Sequence, residues 1–177
     1  MIEVLVTLVI LLTGLLGLAG MLTQSQKAEL ESYQRAQALI LLQDMVERIN
    51  TNRKVAACYG ISVNPVADFL GNGALTPVAC TSGTAGQNTR VQEDLTAWNN
   101  ALLGAAETRG GAQVGAMIGA RGCIQQTDAT NNIYLISVAW QGLSTTFSPI
   151  ATCAQNQYGN DAQRRVVTAS LRIANLN

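Results

Sequence analysis

Val4–Leu22 reads VLVTLVILLTGLLGLAGML, and its complete lack of charge decides how the rest of the chain must be organised. A helix of about 20 apolar residues covers the roughly 30 Å of hydrocarbon in a bilayer, so this stretch predicts a membrane segment. A cleaved secretory signal has a shorter apolar run of about 7–15 residues, opened by basic residues and closed by a small-residue cleavage site. Met1–Glu3 carries no basic residue. Nor does the helical pattern stop at Leu22: Thr23–Arg53 contains neither Pro nor Gly and is rich in Ala, Leu, Gln, Glu and Arg, all compatible with helix. One continuous helix of about 50 residues is expected, on the order of 75 Å long at 1.5 Å per residue. That exceeds what a bilayer needs, so the second half must leave the membrane.

In that half Ala38, Leu41, Leu42, Met45 and Ile49 recur at helical spacing, a face suited to docking on a globular domain. Gln43, Asp44, Glu47 and Arg48 take the other side, and Asp44 and Arg48 are placed to pair across one turn. Arg53 and Lys54 suit a helix C-terminus, and Tyr59-Gly60 with Pro65 ends the pattern, so the helix is expected to stop near Lys54. The chain thus divides into a transmembrane and assembly helix, 1–54, and a globular domain, 55–177.

Composition narrows the function. Net charge is zero, with 12% charged and 48% hydrophobic residues, which gives no electrostatic case for nucleic acid or an anionic lipid surface. There is no histidine, which removes Ser-His-Asp and Cys-His catalysis and the commonest metal ligand. The four cysteines, Cys58, Cys80, Cys123 and Cys153, form no CxxC pair of the zinc or thiol-redox type. Two structural disulfides are the expectation, placing the domain outside the cytosol; the plainer alternative is four buried thiols acting as small apolar side chains. Of the three connectivities, the sequential one, Cys58 with Cys80 and Cys123 with Cys153, closes loops of moderate size and is the one expected.

Glu3 is the oddity, an ionisable group at the head of an apolar run. A charge at mid-membrane costs about 2.5–3.5 kcal/mol on insertion scales, so Glu3 needs a partner or the interface. It either marks the wet end of a membrane helix or has a partner in an assembly.

The opening IEVLVTLVILLTGLLGLAG resembles the N-terminal signature of type IV pilins and pseudopilins, an Ile-Glu pair followed by an unbroken apolar helix. Within that superfamily GLLGLAGM, DLTAWNNALLG and YLISVAWQG look like the minor pilins called PilV, the type IV pilus modification proteins. The resemblance is strong over Met1–Arg53 and extends beyond it. It implies an α+β fold, a long N-terminal helix packed on a small antiparallel sheet. It also implies prepilin peptidase processing after a Gly, with Met1 at the third position of the mature family sequence, so a basic leader, the Gly and a methylated Phe are expected upstream. Glu3 would neutralise another subunit's N-terminal ammonium in a water-poor filament core, where opposite charges are weakly screened. Gly14, Gly17 and Gly20 would permit close helix approach, although plain tolerance of Gly in membrane helices explains them as well. The partners implied are other minor pilins and the major pilin, the inner membrane, prepilin peptidase and a pilus-tip adhesin, with no cofactor, no metal and no nucleic acid. The implied location is the inner membrane with a periplasmic domain, then the pilus.

In the globular part, Ala56–Arg90 is rich in Gly, Asn, Thr, Ser and Pro and reads as loop, stapled by Cys58 and Cys80. Arg90–Glu107 predicts a short amphipathic helix with Leu95, Trp98, Leu102 and Ala105 on one face, Trp98 in the core. Gly104–Gly122 lacks the Lys-Ser/Thr ending of a phosphate loop and the acidic residue of a dinucleotide fingerprint, so its glycines are read as turning the chain into a meander. The strands expected are 119–126, 133–142 and 164–174. Tyr134, Ile136, Val138 and Trp140 alternate onto one face, as do Val167, Ala169, Leu171 and Ile173. Asp128–Asn132 is a polar turn and Ser148–Asp161 a longer loop holding Cys153; Asp128 and Asp161 read as solvated acids, since calcium-loop spacing is absent.

The leading expectation is therefore a non-enzymatic minor pilin. A pseudopilin of a type II secretion system shares the first helix and is the nearest rival. A membrane-tethered periplasmic hydrolase using Glu93 or Asp94 is the rival of a different class, but both acids are better explained by the favourable dipole at a helix start.

Overall fold

A computed structural model describes residues 1–73, 80–105, 108–113 and 117–174. They form two compact units, Met1–Tyr33 and Gln34–Asn177. The first is helix from Ile2 onward, the beginning of α1 (Ile2–Thr51), and its residues from Met1 to Leu30 are all exposed.

In the second unit, the last turns of α1 bury Gln34, Ala38, Leu42, Met45 and Ile49. This is the expected apolar face, lengthened by Gln34 and with Leu41 only half-buried. The helix ends at Thr51, short of Lys54, because Val55, Ala56 and Tyr59 are drawn into the core through a 3-10 turn (Arg53–Tyr59). Arg53 and Lys54 therefore lie beyond the α-helix and Arg48 is the basic residue of its last turn.

Helix α2 (Ala85–Leu102) starts five residues earlier than the apolar spacing suggests. Its start is set by a capping box: the Gln87 N–H donates to Thr84 Oγ1 at 3.3 Å while the Thr84 N–H donates to Gln87 Oε1 at 2.9 Å. Its end is set by Gly104 at φ +86°, where the Ala105 N–H reaches Asn100 O at 2.9 Å and the Gly104 N–H reaches Ala101 O at 3.0 Å. This left-handed cap satisfies the last carbonyls and stops the helix before Ala105; Glu107, the end expected from sequence, lies outside the described residues.

The strands β1 (Thr108–Arg109) and β2 (Ala112–Gln113) pair around Gly110-Gly111, both at positive φ as a tight hairpin requires. The main sheet is antiparallel in the order β3 (Ile118–Asp128), β4 (Ile133–Gln141), β5 (Arg164–Arg172). Val138 faces Val167, Ile136 faces Ala169 and Tyr134 faces Leu171, so the alternation in the sequence lands in register. These side chains join α1, α2 and the 3-10 turn in one core. The outer edge of β3 is partly covered: the Ser62 N–H donates to Ile124 O at 2.9 Å and Leu70 bridges Gly122.

The other face of the sheet carries a second, smaller cluster of Cys123, Ala139, Cys153 and Ala154, flanked by Phe69, Tyr158 and Val166. The loop between β4 and β5 folds back to form it.

Candidate functional site

The surface that asks for a partner is the first unit. Fourteen large apolar side chains between Ile2 and Leu22 are each at least half exposed, from Leu8 at 51% to Ile2 at 77%. Burying one such side chain is worth about 1.5 kcal/mol or more, so leaving the set in water would cost on the order of 20 kcal/mol. Among the described residues this is the one helix long and apolar enough to cross a membrane. Its few hydroxyls are satisfied internally: Thr7 Oγ1 donates to Val4 O at 2.9 Å, Thr13 Oγ1 to Ile10 O at 2.9 Å and Thr23 Oγ1 to Gly20 O at 2.8 Å. A helix with no unpaired polar group along its apolar length can enter a lipid or helix-packed environment without desolvation cost.

Glu3 stands in the first turn, where its carboxylate complements the positive end of the helix dipole. It is exposed, and no cation among the described residues pairs with it. Gly14, Gly17 and Gly20 are equally open: a Cβ added at any of them meets nothing within 4 Å. The apolar stretch to Leu22 therefore offers one acid, Glu3, and three small residues that make no ion pair or close side-chain contact among the described residues.

The four cysteines are brought together as expected, Cys58 with Cys80 and Cys123 with Cys153. The first bridge ties the 3-10 turn to the segment ahead of α2, and the second ties β3 to the β4–β5 loop.

The acids Glu93 and Asp94 stand differently from their sequence reading. With α2 beginning at Ala85, neither is at the helix start. Glu93 is exposed on the helix surface. Asp94 is 1% exposed and fully engaged: Oδ1 accepts from Arg48 at 2.9 Å and pairs with Arg90 at 3.2 Å, while Oδ2 accepts from the Tyr59 hydroxyl at 2.6 Å. Arg48 also binds Asp44 at 2.9 Å, the expected pair. Asn52 donates to Tyr59 Oη at 3.3 Å and to Gln87 O at 3.0 Å. Burial, with the hydrogen bond to Asp94 behind it, pushes the Tyr59 phenol well above its ordinary range, so it remains a neutral donor. An enclosed carboxylate with both oxygens committed is unsuited to take a proton from a bound substrate. The group joins α1, α2 and the 3-10 turn.

Asp128 and Asp161 serve local structure. Asp128 accepts from the Asn131 N–H at 3.0 Å and side-chain amide at 2.6 Å, which hold its carboxyl below the usual range. Asp161 binds Arg164 at 2.7 Å, a pairing that likewise lowers its carboxyl.

No family model, curated protein or solved structure matches this chain.

Proposed function

We propose that the protein is a non-enzymatic minor pilin of a type IV pilus, held in the inner membrane by α1 with its domain in the periplasm and later carried into the filament. The observation that carries this reading is the pairing of a bare apolar stretch, headed by Glu3 with no ion-pair partner among the described residues, with a disulfide-stapled α+β domain. A simple membrane anchor explains the apolar residues and asks of Glu3 only that it mark the wet end of the span and complement the helix dipole. In an assembly of such helices, Glu3 meets the N-terminal ammonium of a neighbouring subunit, where low dielectric makes the attraction strong. The partners are other minor pilins and the major pilin, with prepilin peptidase acting during maturation and an adhesin at the tip.

The test is Glu3→Ala and Glu3→Gln expressed from the protein's own locus. Removing a charge makes membrane insertion easier, so the amount of membrane-bound protein should stay near wild type. Piliation and twitching should fall with both variants, because the amide keeps the size of the side chain but cannot neutralise an ammonium. Normal piliation in both would remove the assembly role of Glu3. Intact piliation with impaired protein secretion would assign the chain to a type II secretion pseudopilus instead.

A further inference from the structure

Arg164 opens β5 with 0% exposure, an unusual place for a guanidinium. All five of its N–H donors are occupied. Nε and Nη2 form a fork on Asp161, at 2.7 and 2.9 Å. Nη2 also donates to Pro149 O at 3.1 Å, and Nη1 donates to Cys153 O at 3.1 Å and to Ala151 O at 2.5 Å. One side chain thus holds three carbonyls of the β4–β5 loop, the last being that of Cys153 itself. Asp161 is fixed in turn, since the Asn160 side chain caps its short 3-10 turn by accepting from the Ala162 N–H at 3.0 Å.

The same loop is anchored at a second point by the Ala154 N–H, which donates to Pro65 O at 2.9 Å. Ala154 takes the left-handed conformation at φ +52°, which costs a residue with a Cβ on the order of 1 kcal/mol and persists only where neighbours impose it. That turn directly follows Cys153, aiming it at Cys123 on the same face of the sheet as Arg164. The loop carries no charge from Gly142 to Asn160 and little regular structure of its own, so its shape comes from these anchors.

We propose that Arg164 and Asp161 position Cys153 opposite Cys123 before the bridge closes, and thereby select this pairing over the two alternatives open to four cysteines. Closure transfers two electrons and two protons from the two thiols to a disulfide oxidant: one thiolate displaces half of the oxidant to give a mixed disulfide, the second displaces the other half, and two small thiols leave. Arg164 takes no part in that chemistry; it is a positioning residue.

The test uses the full chain in detergent micelles. In Cys123→Ala, Cys153 has no partner, and the Arg164 anchor should keep it buried, with iodoacetamide alkylation about 100-fold or more slower than in the urea-unfolded variant. Alkylation at the unfolded rate, whether from a loosened loop or a lost fold, would mean that the bridge holds the loop and would overturn the proposal. Adding Arg164→Lys should speed alkylation about tenfold while amide-exchange protection in β4 persists. Unchanged alkylation, or loss of β4 protection along with it, would make Arg164 irrelevant or merely a prop of the sheet, and either result overturns the proposal. Reduced wild-type chain reoxidised with oxidised glutathione should regain Cys58–Cys80 and Cys123–Cys153 by non-reducing peptide mapping, whereas Arg164→Lys should give mixed pairings. Recovery of the native pairs at wild-type yield in that variant would also refute the selection role.

Discussion

The six-membered ring of Trp98 occupies the space that a side chain at Gly122 would need: a Cβ there would lie 2.4 Å from Trp98 Cη2 and 2.7 Å from Leu102 Cδ1. The same indole donates its Nε1–H to Leu41 O at 2.9 Å. Trp98 therefore fastens α2 to the middle of β3 and to α1 at once, and the absent side chain of Gly122 is what lets the three elements come so close.

Gly122→Ala should accordingly destabilise the globular unit by about 1–3 kcal/mol, the usual cost of overpacking a filled core. Thermal unfolding followed by tryptophan fluorescence checks this. The opposite outcome, a gain from reduced chain entropy as at open strand glycines, would show that the indole moves aside freely.

The Asp94 network gives graded expectations. Removing one partner of a buried ion pair costs about 3–5 kcal/mol, and Asp94→Ala should fall toward the lower end because Arg48 retains Asp44. Asp94→Asn keeps an acceptor for the Tyr59 hydroxyl and should lose less. Arg90 is 56% exposed at its side chain, so Arg90→Met should change stability by less than about 1 kcal/mol. Urea titration of the three variants orders them.

Stability should fall at both ends of the pH scale, for different groups. Asp161 has its carboxyl lowered by the hydrogen bonds from Arg164, so its contribution is present above the unfolded carboxyl value near 3.9 and is lost as pH falls below it. Tyr59 is raised, chiefly by burial; its contribution is complete below the unfolded phenol value of about 10 and drains away as pH climbs past it. Tyrosinate absorbance of Tyr59 should therefore appear only with unfolding, and Tyr59→Phe should remove that part of the alkaline loss.

Much of this architecture is legible in the sequence because it rests on periodicity. The uncharged run to Leu22 records an apolar helix left exposed within its own chain, while the spacing of Ala38, Leu42, Met45 and Ile49 and the alternation from Tyr134 to Trp140 each record one buried face. Features that depend on a distant neighbour are not legible. Arg164 looks like an ordinary charged strand residue until the loop returns to it, and Asp94 looks like a surface acid until Arg48, 46 positions away, is placed beside it. Gly122 belongs to a glycine-rich segment that reads as turns, and Gly110-Gly111 fits that reading. At Gly122 the requirement is space in mid-strand, imposed by Trp98. The start of α2 was written in the sequence as Thr84 and Gln87, but it lies in a Gly- and Ser-rich stretch that masks the cap.

Substitutions at Gly17 separate a helix that only anchors from one that assembles. A Cβ added at Gly17 meets nothing within 4 Å among the described residues, so a larger residue there has room within the chain. Replacing an interior helix Gly by Ala favours the helix by about 1 kcal/mol in itself, and Leu is nearly as good. Both Gly17→Ala and Gly17→Leu should therefore leave insertion and the thermal unfolding of the globular unit unchanged. If close packing against neighbouring helices uses this position, the two variants diverge in the filament: Ala, still small, should assemble almost normally, while Leu should hold the helices apart and reduce incorporation into sheared pili. A membrane anchor has no reason to distinguish them. Equal incorporation of wild type, Gly17→Ala and Gly17→Leu would reduce Gly17 to a tolerated glycine and leave Glu3 alone to carry assembly.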